Sequence, residues 1–586
     1  MLFGILFVFA LLIGRLAYIQ IIWAPELIAK ASSHWIKNIN IQPKRGDIYD
    51  RNGVVLAQSA PSSSIVAYPN LIKDPDNTAN CLASVLGENR DELFEKLKDS
   101  EKSFTWIKRH VSNEEAEEVK ALELAGIGII DEQKRFYPNN ELAAHVIGFT
   151  AKYAEEDGLK GQEGIELAYD SYLKGVPGKI TRVADANGRK LAFGEENIIP
   201  VSDGLDVVLT IDQVIQYFTE EAIKSVVEEY TPQKVYAIVM DPHTGEILAM
   251  AGYPSFDPNS PPREQGLEEM QSIVKNTLAK DTIVPGSVFK IITGAAGLEE
   301  GIVDINTTFD DPGYRIVDGV KIRCHEREGH GLVTLAQGFQ HSCNPVFMDI
   351  ALGLGKAKLY EYIYKFGFGQ KTGIDIDGEE SGILLHQEVV KNVDLARIGF
   401  GQAIATTPIQ IVNAVSAAVN GGRLMQPHLL KEVREPYFDE MTKEEHFKVI
   451  KTIEPKMIRQ VISPQTSAIL REILQRVVDD GSGSNAKIPG YLVGGKTGTS
   501  QKYDGNKVKE KAYVASYVGI APINDPKLVV YFAVDEPVAD VVYGSTIAAP
   551  YAKEILENSL KHLNIVPTED IEGIEIEDEA NKESDG

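Results

Sequence analysis

A serine with a lysine three residues on, Ser287-Val288-Phe289-Lys290, directly follows the turn-forming pair Pro285-Gly286. The apolar run after it reads as helix, which puts Ser287 in the first turn with Lys290 on the same face. A serine hydroxyl is a poor nucleophile until a neighbouring base takes its proton, and a helix N-terminus favours the charge that develops. Lysine can be that base only when neutral, a form that burial and a second nearby cation both promote. Alone the pattern carries little, since composition gives roughly two such pairs by chance in a chain this long.

Two more motifs follow in order, separated by 55 and 154 residues. Ser342-Cys343-Asn344 stands before Pro345, which opens a helix. From a loop, Ser342 can pass a proton between Lys290 and a leaving amine, and Asn344 can hold a substrate amide. Capping of the next helix is the competing use of both. The third motif is Lys496-Thr497-Gly498-Thr499, and Lys371-Thr372-Gly373 is a decoy for it. The decoy follows Phe366-Gly367-Phe368-Gly369, a helix stop and turn, whereas Lys496 lies in a strand candidate. A strand beside a cleft binds extended peptide by strand addition, and Gly498 lets that peptide approach. Lys496 and the hydroxyls of Thr497 and Thr499 suit a carboxylate, and the N–H groups of Ser287 and Thr499 suit an oxyanion. The reading assigns Ser287, Lys290, Ser342, Asn344 and Lys496 to catalysis, and Thr497, Gly498 and Thr499 to substrate binding.

These residues need a scaffold. Val235–Met240 and Ile247–Gly252 read as strands joined by the turn Asp241–Glu246. Tyr491–Thr499, Ala512–Ile520 and Leu528–Val534 are three more, with helical stretches around 287–300, 346–366 and 465–479 between the two groups. Strands, then helices, then strands predict an antiparallel sheet with helices packed on it. Upstream, residues 25–200 read as a separate mixed α/β unit, with strand candidates Val54–Leu56 and Ser64–Ala67 and a charged helix at Asn113–Glu123.

Composition bounds the partners. The chain has 586 residues and a net charge of −26, which repels a nucleic-acid backbone. Three cysteines exclude a disulfide-built scaffold. Leu2–Ala24 is apolar apart from Arg15 and Gln20, long enough to span a bilayer. No basic residue precedes it, so an uncleaved anchor is favoured over a signal peptide. Lys30, Lys37, Lys44 and Arg45 all follow the span, against the usual basic cytoplasmic flank, so the expectation is that further residues precede Met1. Glu569–Gly586 carries nine acids and one lysine and reads as a disordered tail.

Taken together, the three motifs resemble the penicillin-binding protein and serine β-lactamase set, with Cys343 in place of an aspartate. Gly14–Gln20, Arg45–Gly53, Gly161–Glu166, Met240–Gly245, Gly399–Gln402 and Thr407-Pro408 extend the likeness to a class B penicillin-binding protein, nearest to the sporulation-type members, over about residues 10–560. The resemblance implies an α+β multidomain chain: a transmembrane anchor at 1–24, a mixed α/β pedestal or dimerisation domain at 25–200, a transpeptidase domain at 205–565 and the acidic tail at 566–586. It implies a single-pass protein of the cytoplasmic membrane with its bulk outside. Its activity would be cross-linking of peptidoglycan stem peptides through an acyl-enzyme on Ser287. Penicillins and other β-lactams would react there, and a SEDS-type glycan polymerase would be the partner. Arg45, Gly46, Asp50, Arg51 and Glu166 would hold the domains together. A carboxypeptidase or β-lactamase-type hydrolase and a penicillin sensor are the alternatives. No cofactor and no metal are expected.

Cys324 and Cys343 leave three readings open: a redox-active disulfide, two free thiols, or zinc together with His325, His330 and His341, whose spacing fits no regular finger. Cys81 reads as a small apolar residue.

Overall fold

In the computed structural model, which describes residues 2–27, 36–151, 158–183, 196–504 and 507–568, the expected apolar strands form one five-stranded antiparallel sheet. Its order is Ile247–Tyr253, Lys234–Met240, Leu528–Asp535, Lys507–Ala521, Gly494–Asp504. The two strand groups lie far apart in sequence, yet Lys234–Met240 pairs directly with Leu528–Asp535, Ala237 opposite Phe532. Both faces are covered, which is why these strands read as unbroken apolar runs. Val235, Ala237 and Val239 face a layer containing the helices Gln213–Tyr230 and Ala549–His562, whereas Tyr236, Ile238 and Met240 face the larger core of Lys290–Glu299 and Pro408–Val419.

Local signals set the helix starts. Asp212 accepts from the N–H groups of Val214 and Ile215. Thr407 and Gln410 form a capping box ahead of Pro408, and Ser463 caps Pro464–Asp480. The decoy Lys371 is exposed in a loop, and Thr372 beside it is tied to Glu379 through its hydroxyl and N–H.

In the N-terminal unit the two short strand candidates are one strand, Val55–Ala67, paired along its length with Ile127–Phe136 and partly with Thr105–Val111. Helices Pro75–Leu86, Arg90–Leu97 and Asn113–Ala121 pack on it. Its sheet also takes in Ile48–Tyr49, Asp206–Leu209 and the hairpin Leu430–Asp439 and Glu444–Thr452. A sheet shared between residues 48–136 and 430–452 was invisible in the sequence, because register across hundreds of residues leaves no local periodicity.

The N-terminal unit holds a buried polar network close to where it meets the catalytic unit. Glu166 accepts from Arg45 Nε at 2.7 Å and from Arg135 Nε at 2.6 Å. Arg135 also donates to the Gly46 carbonyl at 2.7 Å, and a side chain at Gly46 would lie 2.0 Å from the Leu205 carbonyl oxygen. Asp50 accepts from the Gln213 N–H at 3.1 Å, and Arg51 pairs with Glu246 at 3.2 Å. Asp50 and Arg51 bind the start of the N-terminal unit to the catalytic unit, whereas the Glu166 network with Arg45 and Arg135 lies inside the N-terminal unit.

Phe3–Ile22 is one exposed apolar helix, long enough to cross a membrane. Lys30 and the acidic segment Glu569–Gly586 lie outside the described residues.

Candidate active site

Gly286–Phe289 is a tight 3₁₀ turn, and the α-helix starts at Lys290. Ser287 therefore stands one turn before the helix rather than in its first turn. The cause is a backbone crossing. Gly286 (φ +56°) donates its N–H to the Gly401 carbonyl at 3.0 Å, and a side chain at Gly401 would lie 1.9 Å from the Gly286 oxygen. Gly399-Phe400-Gly401-Gln402 thus backs the nucleophile turn, a role that sequence reasoning did not assign. Ser287 is partly exposed, and among the described residues its hydroxyl has no hydrogen-bond partner.

Lys290 is fully buried under Ser287 and reaches the second motif. Its Nζ donates to the Ser342 carbonyl at 2.5 Å and to Asn344 Oδ1 at 2.8 Å, and lies 3.2 Å from Ser342 Oγ. Lys496, equally buried, donates to Ser342 Oγ at 2.9 Å and to the Thr497 carbonyl at 3.2 Å. Ser342 holds a left-handed φ of +55°, which a non-glycine residue keeps only where its surroundings enforce it. Asn344 opens the helix Asn344–Lys365, and its Nδ2 donates to the Arg323 carbonyl at 3.4 Å.

Burial first, and for Lys496 the neighbouring Lys290 charge second, disfavours the ammonium forms. Lys290 is pushed down to about 8, and Lys496 falls well below the ordinary lysine range. Each is thereby brought toward the neutral state a base needs.

The third motif lies on Gly494–Asp504, the edge strand of the catalytic sheet. Ser500 Oγ donates to the Val284 carbonyl at 2.8 Å and ties this strand to the nucleophile segment. A side chain at Gly498 would meet Ser516 Oγ at 2.4 Å and Val288 at 3.1 Å. Thr499 Oγ1 accepts from the Gly544 N–H at 3.1 Å, which leaves the hydroxyl proton to donate. Thr497 Oγ1 pairs with Ser482 at 3.2 Å, a contact with no signal in the sequence. Hydrogen bonds join Lys290, Ser342, Asn344, Lys496 and Thr497, and Gly498 and Thr499 stand beside Val288 and Gly286 of the nucleophile turn.

Cys324 and Cys343 are both free thiols in the structure, so the disulfide reading is not formed there. The Cys343 thiol donates to Cys324, which holds the Cys324 thiol well below its usual range and pushes that of Cys343 up. His330 stacks on His341 with ring centres 5.1 Å apart and lies near His325 at 5.6 Å.

The model of the penicillin binding protein transpeptidase domain matches residues 235–557, more than half of the chain. The chain belongs to this family. A second model, the penicillin-binding protein dimerisation domain, matches residues 40–209. This penicillin-binding protein is 40% identical to stage V sporulation protein D of Bacillus subtilis, over 97% of its own length and 85% of that relative. It is 31% identical to a probable peptidoglycan D,D-transpeptidase, PenA, of Neisseria meningitidis, over 97% and 93%. Penicillin-binding protein 2X of Streptococcus thermophilus shares the fold, with a TM-score of 0.73 over 90% of this chain and 80% of that one, at 24% identity. The fold class and family expected from the three motifs are those found.

Proposed function

We propose that this class B penicillin-binding protein is a peptidoglycan D,D-transpeptidase whose nucleophile is Ser287. The convergence of Lys290 and Lys496 on Ser342 Oγ carries the reading. Ser287 Oγ attacks the carbonyl of the penultimate D-Ala of a donor stem peptide, and neutral Lys290 takes the hydroxyl proton. The N–H groups of Ser287 and Thr499 stabilise the oxyanion. Ser342, bonded to both lysines, delivers a proton to the departing D-Ala amine as the C–N bond breaks. The acyl-enzyme is then resolved by the amine of an acceptor stem. Lys496, Thr497 and Thr499 hold the donor carboxylate, Gly498 admits its backbone, and Asn344 holds its amide. A β-lactam enters as a donor mimic and stays on Ser287.

Phe3–Ile22 anchors the enzyme in the cytoplasmic membrane as a single span with the bulk outside, beside a SEDS-type glycan polymerase. The N-terminal unit, which a simple hydrolase does not need, supports transfer over hydrolysis.

Product analysis tests the reading. Incubated with a pentapeptide donor and an acceptor amine, the full-length protein should release D-Ala and form the cross-linked amide. Release of D-Ala into the tetrapeptide acid alone, at every acceptor concentration, would make it a carboxypeptidase. Full-length protein that co-purifies with no membrane polymerase after mild cross-linking would remove the partner.

A further inference from the structure

The strand Ile247–Tyr253 ends the catalytic sheet and pairs within it only with Lys234–Met240. Its other edge therefore presents backbone groups that need partners. The helix Gln213–Tyr230 and its N-cap Asp212 supply them for part of the length. The Leu248 carbonyl accepts from the Asp212 N–H at 2.9 Å. At Met250 the Gln216 side chain takes the place of a neighbouring strand. Its Oε1 accepts from the Met250 N–H at 2.8 Å, and its Nε2 donates to the Met250 carbonyl at 3.0 Å. Outward-facing groups recur at every second residue of an antiparallel edge, so Gly252 is next. Gly252 is buried, and among the described residues its outward N–H and carbonyl have no hydrogen-bond partner. A buried backbone pair left open calls for a partner.

Gly252 lies on the lining of a groove of about 590 Å³. Residues 139–145 of the N-terminal unit, residues 217–227 of the helix and residues 250–255 enclose it. Tyr217, Ile223 and Val227 give it an apolar wall. Glu141, Glu220 and Glu221 bring three carboxylates, against Lys224 as the single lysine or arginine on the lining. Glu220 is only half satisfied. Its Oε1 accepts from the Ala143 N–H at 2.7 Å and from Gln216 Nε2 at 2.8 Å, and among the described residues its Oε2 has no hydrogen bond. Burial pushes this carboxyl up to about 7, and the charges of Glu141 and Glu221 act in the same direction. A cation at Oε2 restores the charged form. Gln216 Nε2 bonds both the Met250 carbonyl and Glu220, so one side chain fixes the carboxylate against the strand edge.

Other ligands fit less well. The three carboxylates repel an anion. A bare metal ion leaves the Gly252 amide groups and the apolar wall unused. A rounded apolar molecule leaves both Gly252 and Glu220 Oε2 unpaired.

We propose that this groove binds an extended, cationic segment of a partner polypeptide. The segment adds to the sheet edge, its backbone pairing with the Gly252 N–H and carbonyl. One of its lysines or arginines reaches Glu220 Oε2, and the stem of that side chain lies on Tyr217, Ile223 and Val227. Stem peptides are poorer occupants, because their free carboxylates meet an acidic lining. The third motif lies on Gly494–Asp504, at the opposite edge of the same sheet, so the groove is separate from the active cleft. A segment seated there touches both units at once and holds them together. The inference goes beyond the transpeptidase reading and stands whether or not that reading holds.

Fluorescence anisotropy on the full-length protein in detergent tests it. The probe is a five-residue amidated peptide, a central lysine flanked by valines, carrying an uncharged dye. Binding should saturate, with the same affinity before and after treatment with penicillin. Replacing the peptide lysine by glutamine should weaken it about tenfold or more, and so should Glu220→Gln in the protein. N-methylation of alternate peptide amides should abolish binding in one register and spare it in the other, as strand addition requires. The peptide changes need no protein variant to fold. No saturable binding, or equal affinity for the lysine and glutamine peptides, would overturn the proposal. Loss of binding on penicillin treatment would place the peptide in the active cleft and also overturn it. Tighter binding of a stem pentapeptide, on protein already treated with penicillin, would give the groove to the wall polymer and overturn the partner reading.

Discussion

Lys290 and Lys496 meet on a single oxygen, Ser342 Oγ, at 3.2 and 2.9 Å. Two ammonium groups so close, both sealed from water, favour at least one neutral amine. The serine between them can move a proton from one side of the cleft to the other without either lysine leaving its place.

Ser287→Ala removes the only group in the cleft proposed to form the acyl bond. Fluorescent penicillin should label wild-type full-length protein once per chain and leave the variant unlabelled, at an unchanged melting temperature. Equal labelling of both would move the nucleophile elsewhere.

The pH dependence follows from Lys290. Its pKa lies near about 8, and the neutral form is the one that accepts the Ser287 proton. A group titrating there passes from roughly one-tenth to roughly nine-tenths neutral between about pH 7 and about pH 9. The second-order rate of penicillin acylation should therefore rise about tenfold across that interval. A flat profile would assign the base to another group.

Gly401→Ala should disturb the nucleophile turn. The glycine has φ +83°, and its added Cβ would overlap the Gly286 oxygen. Left-handed strain and the clash together cost roughly 3 kcal/mol, and acylation should fall with it. Gly421→Ala is the control, with φ +90° and nothing within 4 Å of the added Cβ. It should cost only about 1 kcal/mol and leave acylation unchanged. Urea melts beside labelling rates read both.

Glu166→Gln leaves two buried guanidiniums short of a counter-charge. Burial alone would raise the Glu166 pKa, but Arg135 and Arg45 outweigh it and hold the carboxyl below the usual range. Its contribution to stability is therefore fully present above the ordinary glutamate pKa and is lost as pH falls through the lower folded value. At neutral pH the variant should unfold its N-terminal unit roughly 3 kcal/mol more easily, seen as an earlier transition in urea followed by tryptophan fluorescence, since Trp106 lies in that unit. An unshifted transition would make the network dispensable.

Several features are fixed locally and can be read from the chain alone. The strands Lys234–Met240 and Leu528–Asp535 are apolar on both faces, so burial on both sides follows from composition. Thr407-Pro408 and Ser463-Pro464 place helix starts by their own hydrogen bonds. Ser287, Lys290, Ser342 and Lys496 were recognisable because their chemistry constrains residue type and order, and Lys371 was separable from Lys496 by the turn before it. Which backbone stands behind a residue was decided only by the tertiary structure. Gly401 against Gly286, Ser482 against Thr497, and Asp311 against His330 and Cys343 join positions from 15 to more than 100 residues apart. No periodicity encodes such meetings, because they arise when separate elements pack on a common core. The start of the helix at Lys290 rather than at Ser287 has the same origin, since a backbone crossing outweighed the local preference for helix.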